Sequence, residues 1–223
     1  MGNLQNKYRY ERKYILEQIN VPNLYFELNR LGYTELHPQR RINNLYLDSI
    51  SNDFLEENIE GLYKRKKVRV RWYGQFEAPS NKLIEIKQKR GEVNFKQILK
   101  LGSFVISKHS NASSIWSSII NTEHNMSFVY KNNLHLLAPK LFNSYNREYY
   151  SNPDQSLRIT IDKDLEYISP ETNLNLFEKN VIIEFKYESD HILKKNLFSN
   201  LKLNKYSKYV KGLVSVNSFN PNY

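Results

Sequence analysis

Residues Lys64–Lys96, KRKKVRVRWYGQFEAPSNKLIEIKQKRGEVNFK, decide how the rest of the chain is read. Two runs of alternating residues flank a loop holding Gly74, Pro79 and Asn81, the pattern of a β-hairpin. Side chains along a strand point to opposite faces in turn. In the first run Arg65, Lys67, Arg69 and Arg71 share one face, and Val68, Val70 and Trp72 share the other. In the second, Glu85, Lys87 and Lys89 lie opposite Ile84 and Ile86. Such a hairpin taken alone reads as part of an antiparallel sheet with one wet face.

The same division recurs along the chain. Tyr8–Leu16 reads as a strand with Arg9, Glu11 and Lys13 on one side and Tyr10, Arg12 and Tyr14 on the other. Arg41–Asp48 and Leu137–Tyr150 read as strands, the latter placing Tyr145, Arg147 and Tyr149 together. Two short strands follow a turn, Leu157–Asp162 with Arg158, Thr160 and Asp162 opposite Ile159 and Ile161, and Leu165–Ile168. Val181–Tyr187 is the last, with Glu184 and Lys186 opposite Val181, Ile183 and Phe185. Glu92–Ile98 adds a short strand or opens a helix. Helical spacing predicts elements over Val21–Leu31, Asn52–Ile59, Ser110–Ile120, His191–Leu201 and Ser207–Val214. Residues 107–133, rich in Ser and Asn, read as a helical, mobile insertion in a single domain spanning 1–223.

These helices have apolar stripes that need a surface to cover, and the apolar strand faces supply it. The ionic faces then point at each other. Closing the sheet also removes its edges. The fold expected is α+β: an antiparallel eight-stranded barrel forming a tunnel with a polar, basic interior and helices packed outside. Its lining would hold Arg9, Lys13, Lys67, Arg69, Arg71, Lys87, Lys89, Arg147 and Arg158 against Glu11, Glu85, Asp162 and Glu184. Buried charges need partners, and an excess of cations asks for a polyanion. Arginine forks and lysine point charges suit a phosphate chain. The scattered carboxylates suit one hard cation, Mn²⁺ or Mg²⁺, bridging ligand phosphates.

Composition agrees. A net charge of +10 points to an anionic partner, yet the cations lie within strands rather than in the terminal block of a nucleic-acid tail. The chain has no Cys, which excludes disulfides, thiolate zinc sites and a thiol nucleophile. There is no apolar run long enough to span a bilayer, no secretory signal, and no Ser or Thr where a myristoylation signal needs one.

Taken in order, RYERKY, NLYLD, KVRVRWYG, LIEIK, YNREYY, LRITID, VIIEFKY and NKYSKYVKG resemble the VTC domain. This is the catalytic domain of the vacuolar transporter chaperone complex and its bacterial relatives, among the triphosphate tunnel metalloenzymes. The resemblance runs from Tyr8 to Gly212 and implies a tunnel barrel that binds triphosphate and polyphosphate. Catalytic members move the γ-phosphate of ATP onto polyphosphate with a divalent metal, commonly Mn²⁺. By resemblance Arg69, Arg71, Lys87 and Arg158 are catalytic phosphate ligands and Glu184 is the metal carboxylate. Lys13 and Arg147 join them as phosphate-binding groups, Lys67 and Lys89 are added from the ionic face of the hairpin, and by resemblance Lys205, Ser207 and Lys208 form a helical group at the tunnel mouth. Lys96 aligns loosely with another basic position. A basic residue expected upstream, in EENIEG, is missing; Arg65 or Lys67 is placed to compensate. The chain shows neither an SPX domain nor membrane segments. The sister CYTH branch carries Glu-x-Glu-x-Lys where this chain has Arg9, Glu11 and Lys13, which favours the polymerase-like branch.

The function expected is therefore a metal-dependent polyphosphate polymerase, a cytoplasmic protein that a partner brings to a membrane if one does. The alternatives are a tunnel that grips polyphosphate without turnover, and an inorganic triphosphatase or cyclase. Nucleic acid is not an expected partner. His37, His109, His124, His135 and His191 fall outside the strand motifs and read as surface or structural.

Overall fold

In a computed structural model, residues 10–121, 126–188 and 201–218 are described. Arg9, His124, His191 and, but for Leu201, the helix read from His191 lie outside them. The strands are β1 (Tyr10–Leu16), β2 (Thr34–Asp48), β3 (Lys64–Tyr73), β4 (Ser80–Arg90), β5 (Val93–Phe104), β6 (Ala138–Ser151), β7 (Leu157–Ile168), β8 (Asn175–Glu178), β9 (Val181–Tyr187) and β10 (Lys202–Leu203). The helices are α1 (Val21–Arg30), α2 (Asp53–Ile59), α3 (Ala112–Ile120), α4 (Met126–Lys131) and α5 (Lys208–Ser218).

The strands hydrogen-bond in the order β10-β1-β9-β7-β6-β2-β3-β4-β5, with β8 beside β7. This is an antiparallel, sheet-dominated α+β fold, but it corrects the expected eight-stranded closed barrel. Nine of the ten strands form an open path whose ends, β10 and β5, are not paired with each other among the described residues, and β8 lies off it. Two further corrections concern strand length. β7 is one strand where two were read, passing through Asp164 with a φ of +53°; Asp tolerates that left-handed conformation better than most residues. β5 runs for 12 residues beside β4, far beyond the short element read at Glu92–Ile98.

The described residues fall into two compact units. The first draws on residues 10–40, 146–165, 178–188 and 201–206. Here β9 pairs with β1 on one side and β7 on the other. The odd-numbered residues Leu157, Ile159, Ile161, Val181, Ile183 and Phe185 form a core with Val21, Leu24 and Leu28 of α1. Helix α1 has Pro22 in its first turn, where no amide partner is needed, and Gly32 with a φ of +73° follows its end. The apolar faces of these strands thus lie beneath a helix, as their alternation demanded.

The second unit draws on residues 41–121, 126–145, 166–177 and 207–218. Val68, Val70, Trp72, Ile84 and Ile86 pack with Ile115, Trp116 and Ile119 of α3. Lys82 shares parity with Ile84 and Ile86, is fully buried, and donates from Nζ to the carbonyls of Ser80 (3.0 Å) and Phe104 (2.6 Å). Burial pulls its pKa down to about 8.

Helix α5 lies so close to the sheet that a Cβ at Gly212 would come within 2.4 Å of Tyr167 Cδ1 and 2.6 Å of Leu141 Cδ2. Gly212→Ala is expected to force α5 outward and cost about 1–3 kcal/mol, measurable as a fall in the denaturant midpoint. An unchanged midpoint would mean that the helix has room to shift.

Candidate functional site

Each unit turns a polar strand face away from its own core. In the second unit this face is organised by Glu85 on β4, only 3% exposed. Register sets Arg69 of β3 opposite Glu85, and Tyr46 of β2 opposite Arg69. Arg69 donates through Nε (2.7 Å) to Glu85 Oε2, where its Nη2 also lies at 2.5 Å. Arg71 Nη1 stands 3.5 Å from the same oxygen, and Lys96 Nζ of β5 is 3.0 Å from Oε1. Arg71 is held in turn by Asn44 Oδ1 at 2.9 Å. Burial pushes the Glu85 carboxyl up, but Arg69, Arg71 and Lys96 outweigh it and bring the pKa down to about 2.

Beyond Glu85 the face becomes a row of cations. Lys87 is opposite Lys67 on one side and Lys96 on the other, and Lys89 is opposite Arg65. Like charges directly opposite one another are unfavourable in a sheet, so this row costs stability unless an anion lies across it. Lys67 Nζ donates to Ser207 Oγ (2.8 Å), the hydroxyl that also accepts from the Val210 amide (3.3 Å) at the start of α5. Lys208 Nζ sits 4.7 Å from the centre of the Tyr145 ring. Arg65 has a different employment: its guanidinium binds the carbonyls of Leu62 (2.9 Å) and Gly61 (3.4 Å) just past α2.

In the first unit the polar face is a small grid. Glu11 is opposite Lys186, and Lys186 opposite Arg158; in the next row Lys13 is opposite Glu184, and Glu184 opposite Thr160. Lys186 Nζ lies 2.6 Å from Glu184 Oε1. Arg147 grips Asp162 through two bonds of 2.5 and 2.7 Å. Burial disfavours the charged form of Glu184, yet Lys186, Lys13 and Arg147 hold its carboxyl well below the ordinary carboxylate range.

Of the residues read from the sequence, the structure therefore brings together Lys13, Arg147, Arg158 and Glu184 in the first unit, and Lys67, Arg69, Arg71, Lys87, Lys89, Ser207 and Lys208 in the second. Arg158, Lys87 and Lys205 are exposed, whereas Arg71 and Glu184 are buried. Sequence reasoning did not single out Asn44, Tyr46 or Thr160. Thr160 was visible by its parity with Arg158 and Asp162; Asn44 and Tyr46 depend on which strand pairs with β3.

Among the described residues no group of three or more His, Asp or Glu side chains could hold a metal ion. A hard divalent ion takes about six oxygen ligands, so Glu184 could contribute only a minority of them.

The model of the VTC domain matches residues 8–217. The chain belongs to the VTC domain family. Membership ties this VTC domain to polyphosphate or triphosphate chemistry. No curated protein matches the sequence. Among solved structures, the PH1819 protein of Pyrococcus horikoshii OT3 is similar over 95% of this chain and 99% of its own, with 11% identity and a TM-score of 0.52. A Vibrio parahaemolyticus protein provisionally named an adenylate cyclase covers 96% of this chain and 88% of its own, at 11% identity and a TM-score of 0.45. The first likeness is one of fold alone. Among the described residues no helix is long and apolar enough to cross a membrane.

Proposed function

We propose that this VTC domain is a metal-dependent polyphosphate polymerase, which takes ATP or another triphosphate and polyphosphate as partners and moves the γ-phosphate onto the growing chain. The observation that carries the reading is the placement of ionised groups in mid-strand, from exposed (Lys87, Arg158) to buried (Arg71, Glu85, Glu184), on faces the apolar core does not use. Ion pairs alone do not explain such placement, because hydrophobic replacements are commonly as stable.

On this reading Arg69, Arg71, Lys87 and Arg158 hold phosphoryl oxygens, and Lys13, Lys67, Lys89 and Arg147 extend the grip along the chain. Lys205, Ser207 and Lys208 receive phosphate where α5 begins. Phosphoryl transfer needs in-line positioning and charge stabilisation more than covalent help. The nucleophile is a terminal oxygen of polyphosphate, so no Ser or His need be activated. A bound Mn²⁺ or Mg²⁺, with Glu184 as its protein ligand, would neutralise charge on the bridge between the β- and γ-phosphates.

Incubation with ATP and Mn²⁺ should yield long phosphate chains on a gel. Arg158→Ala should lower kcat/KM for ATP by about 10- to 100-fold, the loss of one charge-assisted contact. Unchanged kinetics would remove Arg158 from the site. A second reading, binding without turnover, is favoured by one observation: Arg65 is occupied by the Gly61 and Leu62 carbonyls, so it does not replace the basic residue missing upstream. Tight tripolyphosphate binding without chains or free phosphate would establish that reading. Phosphate release without chains would indicate a triphosphatase.

A further inference from the structure

We infer that the hydroxyl of Thr160 is a further ligand-binding group, donating a hydrogen bond to a non-bridging oxygen of the bound phosphate chain; the inference rests on the phosphate-binding reading above. Thr160 lies on the polar face of β7 between Arg158 and Asp162, directly opposite Glu184. The residue is 9% exposed, and its Oγ1 is buried with no hydrogen-bond partner. Two other buried side-chain atoms among the described residues share that condition, Asn52 Oδ1 at the N-cap of α2 and His135 Nδ1 within the 3₁₀ turn Leu134–Leu136, and neither is on a strand face.

A β-branched residue suits this position, but valine would serve a strand as well as threonine does. The hydroxyl is what needs explaining, since a buried polar group without a partner is a net cost. The neighbouring acceptors are engaged. Asp162 takes two bonds from Arg147, and Glu184 pairs with Lys186. The cations nearby, Lys186, Lys13 and Arg147, hold Glu184 ionised, and they favour an anion on this face. A hydroxyl beside an anion donates, and a phosphoryl oxygen accepts it without a proton having to move.

The role predicts two effects of opposite sign. Thr160→Val removes an unsatisfied hydroxyl, so the ligand-free protein should melt at or above the wild-type temperature. The same change should weaken tripolyphosphate binding by roughly 5- to 30-fold, and Thr160→Ser should restore binding to near wild type. Because the hydroxyl is neutral, the loss should be as large in high salt as in low salt, unlike that of Arg158→Ala. Calorimetric titration of the full chain with tripolyphosphate, without metal and with Mn²⁺, decides the matter. Wild-type affinity in Thr160→Val overturns the inference and leaves the phosphate-binding reading intact. So does weakened binding that Thr160→Ser fails to restore, which would mark a structural role. A wild-type protein that does not bind tripolyphosphate overturns both.

Discussion

Glu184→Gln should abolish chain synthesis, by about 100-fold or more, while the protein keeps its fold. The carboxylate lies among Lys186, Lys13 and Arg147. Its loss leaves those cations without their shared anion, at a cost of about 1–3 kcal/mol because Lys186 and Lys13 are partly solvated. The direction of ligand binding separates this role from a structural one. With one negative charge removed, metal-free tripolyphosphate should bind at least as tightly as to wild type, while the benefit of added Mn²⁺ disappears. Circular dichroism, calorimetry and product gels together check the prediction. Undiminished synthesis would strip Glu184 of its proposed role.

The second large effect falls on stability. Glu85→Gln leaves Arg69, Arg71 and Lys96 facing one another, and breaking such a buried cluster should cost about 2–4 kcal/mol. A polyanion that takes the place of the missing carboxylate should return much of that stability by mass action, so millimolar tripolyphosphate should raise the melting temperature of the variant more than that of wild type. The pH dependence has a fixed sign. Glu85 has a folded pKa of about 2 against 4.5 for a free group. Its contribution is therefore fully present above about pH 4.5 and is lost as pH falls toward 2, amounting to about 3 kcal/mol. Wild type should lose this increment on acidification and Glu85→Gln should not; parallel acid profiles would contradict the cluster.

Much of the strand reading needed nothing beyond local alternation. Val68, Val70 and Trp72 entered a core and Arg69 and Arg71 did not, because a strand has two sides and its periodicity assigns each residue to one. Helix α1 was legible for a related reason: Val21, Leu24 and Leu28 recur at helical spacing, with Gly32 beyond the end. Lys82 shows where such reasoning stops. Its parity places it on the apolar side, but what makes that tolerable, the carbonyls of Ser80 and Phe104, lies partly on another strand. The full length of β5 was hidden likewise, since its residues are mostly exposed and its pairing with β4 supplies the order.

By itself the sequence determined the family, the two-sided character of the strands and which face of each carries charge. These properties are written into neighbouring residues and survive any arrangement of the strands. Only the tertiary structure decided that three cations converge on Glu85, that Glu184 sits between Lys13 and Thr160, and that the strand path is open. Those facts depend on which strands lie side by side and in what register, and such pairings join residues far apart in the chain.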